Sequence, residues 1–297
     1  MRLWIAVMAL LFSWPSLHVL QRAGRTLGQL AWFVAPRSRQ VTQRNIGLCL
    51  PSLAPDAQAA VARASMAATG QLLLESAAVW SRSPESLASW VIDVTGKDAL
   101  DAAIAEGRGL LCLVPHFGNW ELLNAWLGSH YDFTAMYAPR RNRWAEAWVR
   151  RSRQRSGSSL VPTTRAGVRA LFEALARGGV VGIMPDQVPD DGAGVRSIFF
   201  GQPALTGTLP ARLALRAKSP LFIAWSMRAD SPARRAGFHI GFRRLVAAEQ
   251  AQDVPSLLAL VGAEVEQVVE LQPAQYQWEY KRFKHATPGI DVYKHFS

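Results

Sequence analysis

His116 and Glu121, five residues apart, are side chains whose types could do proton-transfer chemistry together. An imidazole takes and releases protons near neutral pH, and a carboxylate beside it fixes its tautomer and raises its basicity, which is what a general base for a hydroxyl needs. The pair lies in the stretch Leu110-Leu111-Cys112-Leu113-Val114-Pro115-His116-Phe117-Gly118-Asn119-Trp120-Glu121. Residues 110–114 are too few for a buried helix and read as a strand covered on both faces, stopped by Pro115. Asn119 is a good N-cap and the residues from Trp120 onward have helical apolar spacing, so a helix is predicted to start there, with Gly118 permitting a tight turn. Across such a junction the two side chains can face one another, and the free N–H groups of the helix start can receive an anion. Spacing alone does not decide the matter, because six histidines and twenty-two acids supply about 0.4 such pairs by chance. The competing reading is a satisfied histidine at a strand end and a first-turn carboxylate favoured by the helix dipole.

The rest of the chain predicts what must position them. Short apolar runs alternate with helical stretches from residue 91: strands at 91–94, 110–114, 133–137, 159–161, 180–184, 221–225 and 238–242, and helices at 98–106, 120–127, 144–155, 168–177, 208–218 and 254–270. This alternation specifies an α/β fold, a largely parallel mixed sheet flanked by helices, and ligands then bind beyond the carboxyl ends of the strands, where His116 falls. Pro185-Asp186-Gln187 ends the 180–184 strand just as Pro115-His116 ends the earlier one. Asp186 could orient a basic group or a substrate hydroxyl at that edge, or be an ordinary turn aspartate. Residues 27–34, 41–50 and 56–80 read as helices. Three regions are expected: an N-terminal membrane anchor or interfacial helix over 1–22, a helical region over 23–90, and the α/β core over 91–297.

The chain has 297 residues, 49% hydrophobic content and a net charge of +11. No acid precedes Asp56, and residues 140–177 hold ten arginines against Glu146 and Glu173. Such blocks favour a phosphate-bearing or acidic partner or an anionic lipid surface. Residues 3–20 are apolar apart from a few small polar groups, Pro15 and His18, and barely reach the length of a span; the following arginines would keep the body on the cytoplasmic side. Two cysteines, Cys49 and Cys112, exclude a disulfide framework and a zinc site on count. Nucleotide use and serine hydrolase chemistry are unsupported, since no P-loop, Gly-x-Gly-x-x-Gly or Gly-x-Ser-x-Gly motif occurs.

Taken in order, the motifs resemble the late acyltransferases of lipid A synthesis, the lauroyl and myristoyl transferases within the wider lysophospholipid acyltransferase superfamily. His116-Phe117-Gly118-Asn119-Trp120-Glu121 is similar to that family's catalytic motif. Tyr137, Pro139 and Asn142, with Arg153 and Gly157, resemble its next block. Pro185-Asp186-Gln187, Gly194-Val195 and Phe199-Phe200-Gly201 resemble the third, and Gln275-Tyr276, Trp278 and Arg282-Phe283-Lys284 the closing motif. The sequence departs from the pattern at Ala138 and at Tyr280-Lys281, which leaves the acceptor open.

The resemblance implies transfer of a fatty acyl group from an acyl carrier protein thioester to a hydroxyl of a phosphorylated glycolipid, at the cytoplasmic face of the bacterial inner membrane, with no cofactor and no metal. It implies His116 as general base oriented by Glu121, with Arg153 on the acceptor phosphate or the oxyanion and with Asp186, Asn119 and Gln187 as further substrate-binding candidates. Acylation of an ornithine lipid or a lysophospholipid would use the same machinery. A basic nucleic-acid-binding protein is the reading from another class. The tryptophans argue against it, because they sit mostly in apolar helices rather than among the arginines.

Overall fold

The computed structural model describes residues 7, 10–138, 142–189, 194–229, 236–286 and 290–294. Three helices come first: α1 (Leu17–Val34), α2 (Pro36–Cys49) and α3 (Pro55–Val79). Ser16 caps α1 by accepting from the Val19 amide, and prolines at the first position open α2 and α3, where a missing N–H costs nothing. α1 and α3 cross closely, since a Cβ on Gly70 would lie 2.2 Å from the Gly24 carbonyl oxygen and one on Gly28 would lie 2.1 Å from that of Met66. After α4 (Pro84–Ala88) the chain enters the alternating part: β1 (Val91–Thr95), α5 (Lys97–Ala105), β2 (Leu110–Leu113), α6 (Trp120–His130), β3 (Phe133–Tyr137), α7 (Arg143–Arg155), β4 (Ser159–Pro162), α8 (Arg165–Ala176) and β5 (Val180–Ile183). A hairpin of β6 (Gly194–Phe199) and β7 (Gln202–Gly207) follows, then α9 (Leu209–Ala217), β8 (Leu221–Arg228), β9 (Phe238–Arg244), α10 (Val246–Glu249), α11 (Val254–Leu271) and a 3-10 turn at Pro273–Gln275.

The main sheet has the order β1-β9-β8-β2-β5-β3-β4. Its ladders are parallel except that between β8 and β9, so β9 and β1 run against the other five strands. Alternate residues of each strand point to opposite faces, and both faces are covered. Leu111, Leu113, Val181, Ile183, Leu221 and Ile223 pack on the side of α8, α9 and α11, whereas Leu110, Cys112, Val114, Val180 and Phe222 pack against α5 and α6. Double cover is why β2 and β5 read as unbroken apolar runs rather than alternating ones. The core on the α11 side also includes Val41, Ile46, Cys49 and Ala62 from α2 and α3.

The α/β architecture and mostly parallel mixed sheet agree with the sequence reading. Two parts do not appear there. The β6–β7 hairpin turns on Phe200 and Gly201, both at positive φ, and the phenylalanine in a position usually taken by glycine, asparagine or aspartate conceals the turn. At the N-terminus, helix breaks at Trp14 to Ser16, and Leu17 and Leu20 are buried against Ala78 and Val79. The end of the segment expected to lie in or on a membrane therefore belongs to the core. Among the described residues no helix is long and apolar enough to cross a membrane.

Gly118 sits at φ +60, and a Cβ there would come within 1.9 Å of the Ser226 carbonyl oxygen. Gly118→Ala forces backbone apart and is expected to destabilise the fold by at least about 2 kcal/mol, read as a fall in Tm.

Candidate active site

Strand register builds the site. Leu113 of β2 pairs with Ile183 of β5, and the Val114 amide donates to the Ile183 carbonyl at 2.9 Å. Each strand then meets its proline, Pro115 or Pro185, and the next residues, His116 and Asp186, emerge side by side at the carboxyl edge of the sheet. The His116 amide donates to Asp186 Oδ2 at 2.9 Å, and the ring Nδ1 lies 2.9 Å from Oδ1. One carboxylate thus holds both the backbone and the ring of the histidine. With Asp186 ionised, the ring contact requires a proton on Nδ1 and turns Nε2 away from the carboxylate. Gln187 Nε2 is 3.2 Å from that nitrogen, and Trp120 sets its ring edge against the imidazole with centroids 5.0 Å apart. The His116 side chain remains 14% exposed.

Asp186 is buried. Burial acts to raise its pKa, but the His116 ring, the two hydrogen bonds from His116 and the nearby Arg282 outweigh it and hold the carboxyl below its usual range. Arg282 is itself buried, donating to the Leu205 carbonyl at 2.7 Å and to Thr206 Oγ1 at 2.6 Å. Tyr276 stands on the other side, its phenol pushed well up by burial and by the adjacent Asp186 charge. Burial pushes the Cys112 thiol up to about 12 and raises that of Cys49, so neither supplies a thiolate.

The structure brings His116, Asp186 and Gln187 together and puts Glu121 elsewhere. Glu121 is buried in the first turn of α6, where Arg153 grips it with two bonds, Nη2 to Oε1 at 2.7 Å and Nε to Oε2 at 3.1 Å, and Trp80 Nε1 donates to Oε2 at 3.0 Å. The carboxylate on the imidazole is that of Asp186, because the parallel register fixes it there, while Glu121 points toward α7 and α3. Arg153 is no ordinary surface arginine: burial acts to lower its pKa, but the paired carboxylate raises it overall. Asn119 is fully buried; its Oδ1 caps α6 by accepting from the Leu122 amide at 2.9 Å, and its Nδ2 donates to Glu75 at 3.2 Å. Of the motif amides, that of Gly118 donates to the Gln275 carbonyl and that of Asn119 to the Ser226 carbonyl, so neither is available to an oxyanion. Among the described residues no group of His, Cys, Asp and Glu could hold a metal ion. Pro139 and Arg140 lie outside the described residues.

Composition and spacing did not single out Glu75 or Arg228. Glu75 in α3, itself buried, takes Arg228 Nε at 2.7 Å, the half-buried Gln21 Nε2 at 3.1 Å and Asn119. Arg282, noted only as part of the closing motif, carries no spacing signal because 96 residues separate it from Asp186.

A mostly parallel sheet, covered on both faces, thus carries a carboxylate-steadied imidazole at its carboxyl edge. The family model for the bacterial lipid A biosynthesis acyltransferase matches residues 1–285. The chain is 24% identical over 275 residues to the lipid A biosynthesis lauroyltransferase of Escherichia coli (strain K12), covering 92% of this chain and 87% of that protein. It is 25% identical over 296 residues to the palmitoleoyltransferase of the same organism, covering 97% and 94%. A phosphatidylinositol mannoside acyltransferase of Mycobacterium tuberculosis (strain CDC 1551 / Oshkosh) matches at 31% over 134 residues, 43% of this chain and 42% of that one. The chain belongs to the bacterial lipid A biosynthesis acyltransferase family.

Asp186→Asn removes the carboxylate that orients His116 and is expected to lower the transfer rate about 100-fold or more, measured at saturating substrate. The charge also couples to stability. A carboxyl with a depressed folded pKa stabilises above its ordinary value near 4 and loses that contribution as pH falls through the lower folded value. Acid unfolding of the Asn variant should accordingly show a shallower pH dependence below about pH 4 than the parent.

Proposed function

We propose that the protein moves a fatty acyl group from an acyl carrier protein thioester to a hydroxyl of a lipid A precursor. The observation that carries the reading is the His116–Asp186 pair at the sheet's carboxyl edge, with the imidazole still partly exposed and both thiols raised by burial. A lipid hydroxyl that displaces the Gln187 amide delivers its proton to Nε2 while its oxygen attacks the thioester carbonyl carbon. The tetrahedral intermediate then expels the carrier's thiolate by breaking the carbon–sulfur bond, and the imidazolium returns the proton to sulfur. Asp186 stabilises the imidazolium throughout. Glu121 and Arg153, paired with each other, hold α6 and α7 around the site.

Supporting the lipid acceptor, Leu10, Leu11, Trp14, Val19, Leu27, Leu30, Phe33 and Val34 are exposed. An apolar surface of this kind beside Arg22 and Arg25 suits the boundary of an anionic bilayer on the cytoplasmic side, with α1 lying along it. The basic surface also suits an acidic carrier protein. The match to a phosphatidylinositol mannoside acyltransferase over 134 residues favours, as a second reading, another glycolipid as acceptor.

His116→Ala is expected to reduce acyl transfer from carrier protein to below about one hundredth of the parent rate without altering expression or membrane recovery. Retained activity would overturn the base assignment. Incubating the protein with carrier proteins bearing different acyl chains and weighing the lipid products distinguishes a lipid A precursor from other acceptors.

A further inference from the structure

A cavity of about 620 Å³ opens between α1, α3, the end of β8 and the 3-10 turn, and His116 is not among the residues that line it. Its basic lining is His18, Arg22, Arg25 and Arg228, faced by the amides of Gln71 and Gln275, and among the described residues no acid lines it. His18, Arg22 and Arg25 lie at i, i+4 and i+7 of α1 and so share one face of the helix. Arg228 is 4% exposed and only partly engaged: Nε is bonded to Glu75 at 2.7 Å and Nη1 approaches Gln275 Oε1 at 3.4 Å. Nη2 is buried and has no hydrogen-bond partner. A guanidinium nitrogen without an acceptor in the interior is costly, and an oxyanion relieves it.

The geometry points to a phosphate-binding site in this cavity, taking a phosphate monoester between the Arg228 guanidinium and the α1 arginines. The glycolipid source rests on the acceptor class proposed above; the anion chemistry does not. The volume suits a phosphorylated sugar rather than an acyl chain, whose methylenes would find three arginines. Exposed Val19, Leu27, Leu30 and Phe33 continue along α1, so a headgroup held here would leave its chains beside an apolar surface. The site is also wired to the catalytic turn. Arg228 and Gln275 border the small space against Gly118 and Trp120, and Glu75 joins Arg228 to Asn119, the cap of α6. Since Glu121 occupies Arg153, the structure offers the acceptor phosphate this cavity instead.

The test uses the full chain without acyl donor, titrated calorimetrically with a phosphorylated glycolipid in detergent micelles, its dephosphorylated counterpart, and inorganic phosphate. The phosphorylated lipid is expected to bind at least tenfold tighter than the other, and Arg22→Gln/Arg25→Gln, which changes only exposed side chains, should cut that preference below about threefold. Arg228→Lys keeps a cation for Glu75 but removes the second fork nitrogen, and should do the same while retaining a cooperative melt. Competition by millimolar inorganic phosphate marks a site that also accepts the free ion, and its absence marks one that needs the attached sugar; either keeps phosphate as the recognised group. Equal affinity for the two lipids, or a preference that survives both variants, overturns the site. Transfer to the acceptor with no phosphate preference rejects this site and leaves the reaction; phosphate preference with no transfer rejects the reaction and leaves the site.

Discussion

Everything at the reactive edge depends on one carboxylate taken out of water. Asp186 is 3% exposed, and burying a charge is expensive unless partners replace the lost hydration. Here the replacement comes from the imidazole, the His116 amide and the field of Arg282, and these same partners give the residue its use. A solvated aspartate at that position would hold the histidine loosely. The parallel pairing of β2 and β5 provides the geometry without a dedicated loop, because two strands that stop at equivalent prolines must release their next residues at the same height.

A second set of buried charges keeps the surrounding helices in place. Glu75 with Arg228 ties α3 to β8, and Glu121 with Arg153 ties α6 to α7. Pairs of this kind contribute little net stability over apolar packing, but losing one partner strands the other and costs about 3–5 kcal/mol. They therefore specify one arrangement of helices around the sheet rather than deepen the fold. Asn119 shows the economy of this layout, since its single amide group both caps α6 and bonds to Glu75.

Much of the fold was legible because a doubly covered parallel strand leaves a strong trace, an uninterrupted apolar run closed by proline, as at 110–115 and 180–185. The strand ends, His116 and Asp186, could be read in the same way. Their pairing with each other could not be derived from spacing, since register is a long-range choice over a 70-residue separation; the near neighbour Glu121 looked the better partner only because sequence distance is visible and sheet adjacency is not. Reversal of β9 and β1 was hidden for the same reason. The hairpin turn escaped through Phe200, and the role of Glu75 escaped because an acid within an alanine-rich helix normally reads as a solvated face. At the N-terminus, apolar content suggested lipid contact for residues that include Leu17 and Leu20, which pack inside.

The amide of Gln187 over His116 Nε2 has a bearing on fidelity. An activated thioester is as vulnerable to water as to a lipid alcohol, and a bare imidazole lone pair would serve either. With the lone pair already engaged by an exposed side chain of the same chain, a lone water molecule gains little by exchanging one hydrogen bond for another. A bulky amphiphile arrives with additional contacts that offset the exchange. Under the proposed reaction, this contact would keep the imidazole idle toward hydrolysis until the alcohol docks.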